Sequence, residues 1–391
     1  MPAEVLDVYT AELSRRANPS ALHAVGQAAR MRIETAREDI ARGVGAATSS
    51  EVIFTSGGTE ADNFALKGLY LARNNSTFDA PVRPRVLTTT IEHHAILDSV
   101  EWLGSQGAEI VYLDVDDEGY LDLDAALIEL RRDPERTALI SIMAANNEIG
   151  TLQPIAEIGA AAKELGIPFH IEAGQALGQI PLNFAELGAT AMSITAHKIG
   201  GPVGIGALLL DRGAAPAPIL HGGGQERGVR SGTLDVAGAV AFAKAVELAT
   251  SDIETRTARF SFLRDRLIAG IEDTIPNATL SGRRGGGRLP ANAHFPFSGC
   301  EGDSLLFGLD ARGLATSTGS ACSAGVSRPS HVLLACGMEE DVARSAQRFS
   351  LGHDSTEEEV DRLLAVLPEV VEQAHQAGMV SATPRWMQGA S

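Results

Sequence analysis

Short apolar runs alternate with helix-like stretches from about residue 50 to about residue 212, and this alternation strongly constrains the fold. The candidate strands are 51–55, 86–90, 109–115, 138–144, 168–172, 191–195 and 206–211. Most are nearly continuous apolar runs, which is typical of strands covered on both faces. Stretches with helical periodicity lie between them, for example 60–73, 95–106 and 155–165. The pattern predicts an α/β domain with a mostly parallel, seven-stranded sheet and helices on both faces.

After about residue 255 the pattern changes to short strands among helices, which predicts a smaller α+β domain. Candidate strands cover 293–297 and 348–351, and Ser355-x-x-Glu358 has the form of a capping box that opens a helix to about residue 377. We therefore expect a large domain over 13–255, a small domain over 256–378 with residues 1–12 packed on it, and a loose tail at 379–391.

Composition excludes several classes of function. Apolar residues make up 44% and charged residues 21% of the 391, as in ordinary globular proteins. A net charge of −18 disfavours nucleic acid and anionic membranes as partners, and no apolar run has the length of a membrane span. Three distant cysteines predict neither a disulfide framework nor a metal site. We expect a cytoplasmic protein with free thiols and no metal.

Two neighbouring candidate strands end in ionisable groups. The run 168–172 ends at Glu172, and the run 191–195 leads into Lys198 just before a turn at Gly200. Pyridoxal phosphate needs this pair, because the lysine binds the cofactor aldehyde and the carboxylate keeps the pyridine nitrogen protonated. An isolated lysine beside a turn is usually only solvated, so the prediction depends on the surrounding residues.

Other strand ends add groups that suit the same cofactor. Gly58 and Thr59 open a helix after a strand and can cradle a phosphate, although many glycine turns bind nothing. His93 follows the next strand and can stack on a ring or move protons, or it can cap a helix. Asn147 can donate to a phenolate oxygen or form a plain turn, and Gln175 lies three residues after Glu172. Their joint occurrence favours a cofactor site at one sheet edge.

Cys322 lies in a stretch rich in Ser and Gly, without apolar periodicity. A cysteine there has no core to join, so we expect an exposed, reactive thiol. Cys336 lies on an apolar helix face and is predicted to be core, whereas Cys300 remains unassigned. Arg348 opens a short strand and can bind a substrate carboxylate or form a structural ion pair.

Taken in order, these motifs resemble the cysteine desulfurases of the class V aminotransferase group, which are pyridoxal-phosphate enzymes of fold type I. The similarity runs from about Asn18 to about Ala377. The best-matching stretches are Phe54–Asn63, Glu92–Asp98, Asn146–Gly150, Ala196–Pro202, His221–Arg227, Arg230–Thr233 and Gly319–Cys322. The long Ser- and Gly-rich loop around Cys322 resembles group I of the family.

The resemblance implies which residues hold pyridoxal phosphate: Gly58, Thr59, His93, Asn147, Glu172, Gln175, Thr195, His197 and Lys198. Lys198 would bind the cofactor covalently and move the α-proton of the substrate, and His93 would stack on the ring as an acid/base. Thr59, Thr195 and His197 would bind the phosphate.

The resemblance also implies a substrate, a product and a dimer. Arg348 would bind the carboxylate of L-cysteine, with Asn147 nearby, and Cys322 as thiolate would attack the substrate sulfur. The products would be L-alanine and a persulfide on Cys322, which passes its sulfur to a protein acceptor or scaffold. Thr233 would reach the phosphate of the neighbouring subunit, so the functional unit would be a homodimer.

Three departures from the family pattern set the alternatives. The family's carboxylate beside the ring is Asp where this chain has Glu172, so we expect the backbone or the ring to shift to take up one methylene. Gly174 replaces a small hydroxyl residue, and the family's N-terminal Ala-Thr-Thr-Pro-like segment has no counterpart before Pro2. A selenocysteine lyase, a C–S lyase and a non-catalytic desulfurase-like partner protein therefore remain open.

Overall fold

The computed structural model describes residues 1–16, 18–276, 278–318 and 329–381, with side chains to residue 377. The chain forms two compact units. The first comprises Met1–Asp114, Leu121–Ala145 and Gln153–Ile253, and the second comprises Val115–Tyr120, Asn146–Leu152 and the chain from Glu254 onward. The segments Val115–Tyr120 and Asn146–Leu152 therefore belong to the second unit, although the chain before and after each of them belongs to the first.

A seven-stranded sheet forms the centre of the first unit. Its strands are β1 Val52–Thr55, β2 Arg85–Thr89, β3 Glu109–Leu113, β4 Thr137–Met143, β5 Phe169–Glu172, β6 Ala191–Thr195 and β7 Gly206–Leu210. They lie in the order β1-β7-β6-β5-β4-β2-β3, and only β7 runs antiparallel to its neighbours. The predicted α/β class and mostly parallel sheet are confirmed, because every apolar run became a strand within two residues of its expected ends.

Seven helices of the first unit connect and cover these strands: α1 Ala3–Leu13, α2 Ala24–Gly43, α3 Gly58–Arg73, α4 His94–Ser105, α5 Leu123–Arg132, α6 Ile155–Leu165 and α7 Val236–Thr250. Phe64 and Tyr70 of α3 and Ile96 of α4 pack in one buried cluster with Leu139 of β4 and Leu208 of β7. This packing fixes the N-terminus of α3 at the carboxyl end of β1.

Helix α1 packs on the first unit, which differs from the expected association of residues 1–12 with the smaller domain. Its Val5 is completely buried against Ala241 and Ala245 of α7. Helix α7 is rich in alanine, so its surface lets a second helix approach closely. The sequence pattern could not reveal this, because α1 carries an apolar stripe without any indication of the surface it meets.

The second unit has a three-stranded antiparallel sheet, in the order β8 Asn292–Pro296, β10 Ala346–Ser350, β9 Ser317–Thr318. Its helices are α8 Ile253–Thr274, α9 Gly302–Asp310, α10 His331–Ala335, α11 Glu340–Ala343 and α12 Glu357–Ser381. The capping box of α12 is formed by Thr356 and Glu359, one residue later than expected. Over the described part of the chain, no helix is long and apolar enough to cross a membrane.

Candidate active site

Strand order brings the chemically active strand ends of the first unit together. Strands β6, β5, β4 and β2 are neighbours and parallel, so their carboxyl ends share one edge of the sheet. Glu172, the last residue of β5, pairs with Met143 on one side and with Ser193 on the other. The end of β6, two residues beyond Ser193, leads directly into the turn that carries Lys198.

The N-terminus of α3 opens beside the end of β6. Gly57 precedes the helix with φ +153°, and a Cβ added there would meet nothing within 4 Å. A Cβ on Gly58 would lie 3.7 Å from Cβ of Thr195. Thr59 follows in the first turn and is exposed. Because helix N-termini present free N–H groups and a positive dipole end, this opening suits a phosphate.

The turn after β6 presents Thr195, His197 and Lys198 together. Thr195 Oγ1 lies 2.9 Å from Nδ1 of His197, and Lys198 is exposed within the 3₁₀ turn Ala196–Ile199. Burial and the charge of Lys198 both lower the pKa of His197. A neutral imidazole at pH 7 can donate to a phosphate oxygen while its second nitrogen contacts Thr195.

The Glu172 carboxylate is held by the backbone just after β5. The N–H of Gly174 donates to Glu172 Oε1 over 2.7 Å. Burial raises the pKa of Glu172 to about 7, although the Gly174 N–H and the charge of Lys198 oppose this. Such a carboxylate is stabilised by any cation or charged N–H that binds beside it, which suits the protonated ring nitrogen of pyridoxal phosphate.

A buried polar chain lies on the same face of β5 as Glu172, and it was not identified from the sequence. His170 is completely buried, with Nδ1 2.9 Å from Ser141 Oγ and Nε2 2.8 Å from Ser193 Oγ. Burial lowers the pKa of His170 to about 3, so the ring is neutral at pH 7. Asp62 of α3 lies 3.6 Å from the same Nε2. The signal in the sequence was the period of two along β5, which puts His170 and Glu172 on one face.

Three carboxyl groups interact at this position: Asp62 and Glu92, which are buried, and Glu172, which is half-buried. Glu92 accepts hydrogen bonds from Thr89 Oγ1 (3.0 Å) and the N–H of Met143 (2.9 Å), and burial raises its pKa to about 8. Burial and the charge of Glu172 also raise the pKa of Asp62 well above its ordinary value. The raised pKa values show that negative charge is costly at this position, and a cationic ring beside Glu172 would stabilise the charged form of its carboxyl group.

His93 forms the N-cap of α4. Its Nδ1 accepts a hydrogen bond from the N–H of Ala95 over 3.1 Å, and the side chain is exposed. A neutral ring that accepts at Nδ1 carries its proton on Nε2. The cap thus sets the orientation and tautomer of a ring at the sheet edge. Gln175, also at this edge, is half-buried.

The segment 221–233, here called the anchored loop, carries Thr233 and is fixed by two ion pairs. Glu226 is 1% exposed and binds Arg37 of α2 through two bonds of 2.8 and 2.7 Å, and it also accepts from the N–H of Phe54. Arg230 binds Glu60 of α3 over 2.9 Å. Thr233 itself is exposed at the end of this loop.

Two further predicted site residues, Arg348 and Asn147, lie in the second unit. Arg348 of β10 donates to the carbonyl of Asn147 over 2.9 Å, and burial lowers its pKa while Glu148 opposes that effect. Glu148 accepts a hydrogen bond from Ser330. His294 pairs with Arg348 across the strands and is completely buried, and within the described ranges neither of its ring nitrogens has a hydrogen-bond partner.

The three cysteines differ in what the structure records. Cys322, the predicted reactive thiol, lies outside the described residues. Cys300 is buried, and burial together with Glu372 raises its pKa to about 11. Cys336, expected to be core, is half-buried at the end of α10, and burial and Asp116 raise its pKa to about 12. Neither described thiol ionises near pH 7, so neither is a nucleophile there.

Comparison with known proteins gives the family. The aminotransferase class-V family matches residues 1–363. The chain belongs to this family. It is 50% identical over 93% of its length to the IscS-like cysteine desulfurase of Mycobacterium tuberculosis, of which it covers 92%. It is 44% identical over 91% of its length to the cysteine desulfurase IscS of Dictyoglomus turgidum, covering 87% of that relative.

A solved structure agrees with this assignment. A NifS-like protein superposes with a TM-score of 0.86 at 33% identity, and the match covers 95% of this chain and 96% of the other.

Proposed function

We propose that this chain is a pyridoxal-phosphate-dependent cysteine desulfurase, which converts L-cysteine to L-alanine and a persulfide on Cys322. One observation carries the proposal. Glu172, Lys198 and the N-terminus of α3 occupy one edge of the sheet, in a chain 50% identical to a cysteine desulfurase.

The residues of the first unit fit pyridoxal phosphate. The N–H groups at Gly58 and Thr59, the Thr195 hydroxyl and His197 would hold the phosphate, and the Glu172 carboxylate would accept from the ring nitrogen. Lys198 would bind the cofactor covalently and carry the α-proton, while His93 and Gln175 would contact the ring. When bound, the cofactor supplies a ring that stabilises negative charge at the substrate α-carbon.

Substrate binding and sulfur transfer are assigned to residues of the second unit. Arg348 binds the carboxylate of L-cysteine, and Asn147 contacts the substrate. The Cys322 thiolate then attacks the substrate sulfur. The Cβ–S bond breaks, an S–S bond to Cys322 forms, and Cβ takes up a proton to give alanine. The high pKa values of Cys300 and Cys336 support Cys322 as the attacking thiol.

We further propose a homodimer in the cytoplasm that delivers sulfur to a protein acceptor or scaffold. Thr233 would serve the phosphate of the neighbouring subunit. Its exposure at the end of the anchored loop supports this role, since the two ion pairs hold the loop in one position.

The test is product analysis with purified protein and pyridoxal phosphate. L-Cysteine should give equal amounts of alanine and transferable sulfur. Cys322→Ser should retain the cofactor's absorption band and lose sulfur transfer, whereas Cys336→Ser, the control, should retain both. Turnover of selenocysteine with no turnover of cysteine, or a protein that never binds the cofactor, would contradict the proposal.

A further inference from the structure

Gly174 lies against the side chain of Glu172, which is one methylene longer than the Asp of the family pattern. Its N–H donates to Glu172 Oε1 over 2.7 Å. A Cβ added to Gly174 would lie 2.6 Å from that same oxygen, closer than real Cβ atoms approach. Gly174 does not have a positive φ, so the backbone conformation would accept alanine and the restriction comes from space alone.

The extra methylene of Glu172 is not accompanied by an irregularity in β5. The register of β5 runs without interruption to Glu172 against both β4 and β6. The side chain instead turns back over the following residues, and its carboxylate occupies the position where a side chain at 174 would begin.

The Glu172 carboxylate would have to move if a Cβ were added at 174, and its surroundings set the cost of that movement. The carboxyl groups of Asp62 and Glu92 are buried nearby, and the charge of Glu172 contributes to the raised pKa of each. The methyl group of Thr195 would lie 3.7 Å from the added Cβ at 174, an ordinary van der Waals contact, so the conflict is with the Glu172 carboxylate and not with Thr195. A displaced carboxylate would therefore lose the Gly174 N–H or approach another carboxyl group.

We propose that Gly174 is a positioning residue for Glu172: the absence of a side chain at 174 accommodates the longer carboxylate, and the 174 N–H directs it. The two residues then form a unit that must change together. This inference rests on the proposed function in one respect, namely that Glu172 is the partner of the cofactor ring nitrogen.

A double-mutant cycle tests the inference through cofactor affinity and the spectrum, both independent of turnover. The four full-length proteins are the wild type, Gly174→Ala, Glu172→Asp and the double variant. In the wild-type background, Gly174→Ala should weaken binding of pyridoxal phosphate about tenfold, which is about 1.4 kcal/mol. It should also shift the pH at which the absorption band changes. In the Glu172→Asp background, the same alanine should change neither quantity, because the shorter carboxylate does not reach it. Gly286→Ala, at an exposed glycine with open space around it, is the control.

Equal effects of Gly174→Ala in the two backgrounds, or no effect in either, would overturn the inference. A merely structural role for Gly174 predicts equal effects. If the wild type failed to bind the cofactor, the proposed function would fail on its own. The cycle would then be read from chemical denaturation of the cofactor-free proteins, where Gly174→Ala should lower the unfolding midpoint in the wild-type background and not in the Glu172→Asp background.

Discussion

At the scale of single residues, the proposed site contains carboxyl groups that are removed from water and whose pKa values are therefore raised. Burial raises the pKa of Glu172, Glu92 and Glu148 to about 7, 8 and 7. An acid with a raised pKa in the folded state favours folding at low pH, and this contribution is lost as pH rises through the folded-state value. The cofactor-free protein thus gives up stability to hold a charged group ready for a ligand.

The substitution Glu172→Gln separates the effect of this carboxylate on stability from its effect on cofactor binding. The cofactor-free variant should be more stable than the wild type at pH 8, by about 1–3 kcal/mol, because no charge is buried. It should bind pyridoxal phosphate about 10- to 100-fold more weakly, since a hydrogen bond to a charged group contributes about 1.5–3 kcal/mol. Chemical denaturation and absorbance titration measure the two effects. Glu254→Gln, at an exposed position, is the control, and tighter cofactor binding by Glu172→Gln would refute the assigned role.

His294 makes the second unit sensitive to acid. Burial, Arg348 and Arg288 lower its pKa to about 3, from an ordinary value of 6.5. A base with a lowered pKa contributes stability above 6.5 that is lost as pH falls toward 3. His294→Leu should therefore lose about 2 kcal/mol less unfolding free energy than the wild type between pH 7 and pH 5. Denaturation at both pH values measures this, with the exposed His353→Leu as control; parallel losses would contradict it.

At the scale of elements, one of the two ion pairs that fix the anchored loop is deeply buried. Glu226→Ala leaves the guanidinium of Arg37 buried without its bidentate partner, which should cost about 3–5 kcal/mol of unfolding free energy. Glu34→Ala is a matched control, because Glu34 contacts the same guanidinium at 3.4 Å from a side chain that is 48% exposed. It should cost less than about 1 kcal/mol. Equal costs in denaturant titration would show that burial does not decide the strength of the pair.

The strands of the large sheet were predictable from the sequence, because continuous apolar runs mark them and the topology of a parallel sheet places their ends together. Strand β6 was predicted over its observed range, and the side chains at the ends of β5 and β6 share an edge because parallel strands end together. The capping box of α12 was misplaced by one residue, since Ser355 and Thr356 both offer a hydroxyl.

Other features depend on neighbours that are distant in the chain. Glu226 and Arg37 are 189 residues apart, and no local pattern pairs them. Asp62 and His170 lie within 3.6 Å of each other because α3 packs on β5 and β6, and this proximity is not visible in the sequence. Likewise, the length of Glu172 was visible in the sequence, but the space that Gly174 leaves for it was not.

At the scale of the whole molecule, the proposed site of one chain requires Thr233 of a second chain. Light scattering should therefore give twice the 40.9 kDa mass of the chain. A mixed dimer of Thr233→Ala and Lys198→Ala chains would contain one intact site, because each chain supplies what its partner lacks. Mixing the two variants should restore desulfurase activity that neither has at low pyridoxal phosphate concentration. A monomer, or no gain on mixing, would contradict the shared site.

The central claim is that sulfur leaves L-cysteine and comes to rest on Cys322. The most direct measurement is mass spectrometry of the intact protein and its peptides after one equivalent of L-cysteine is added to the cofactor-loaded enzyme. We predict one additional sulfur atom on the peptide that contains Cys322, none on those containing Cys300 and Cys336, and an equal amount of alanine. Alanine without sulfur on Cys322, or sulfur on another cysteine, would contradict the account.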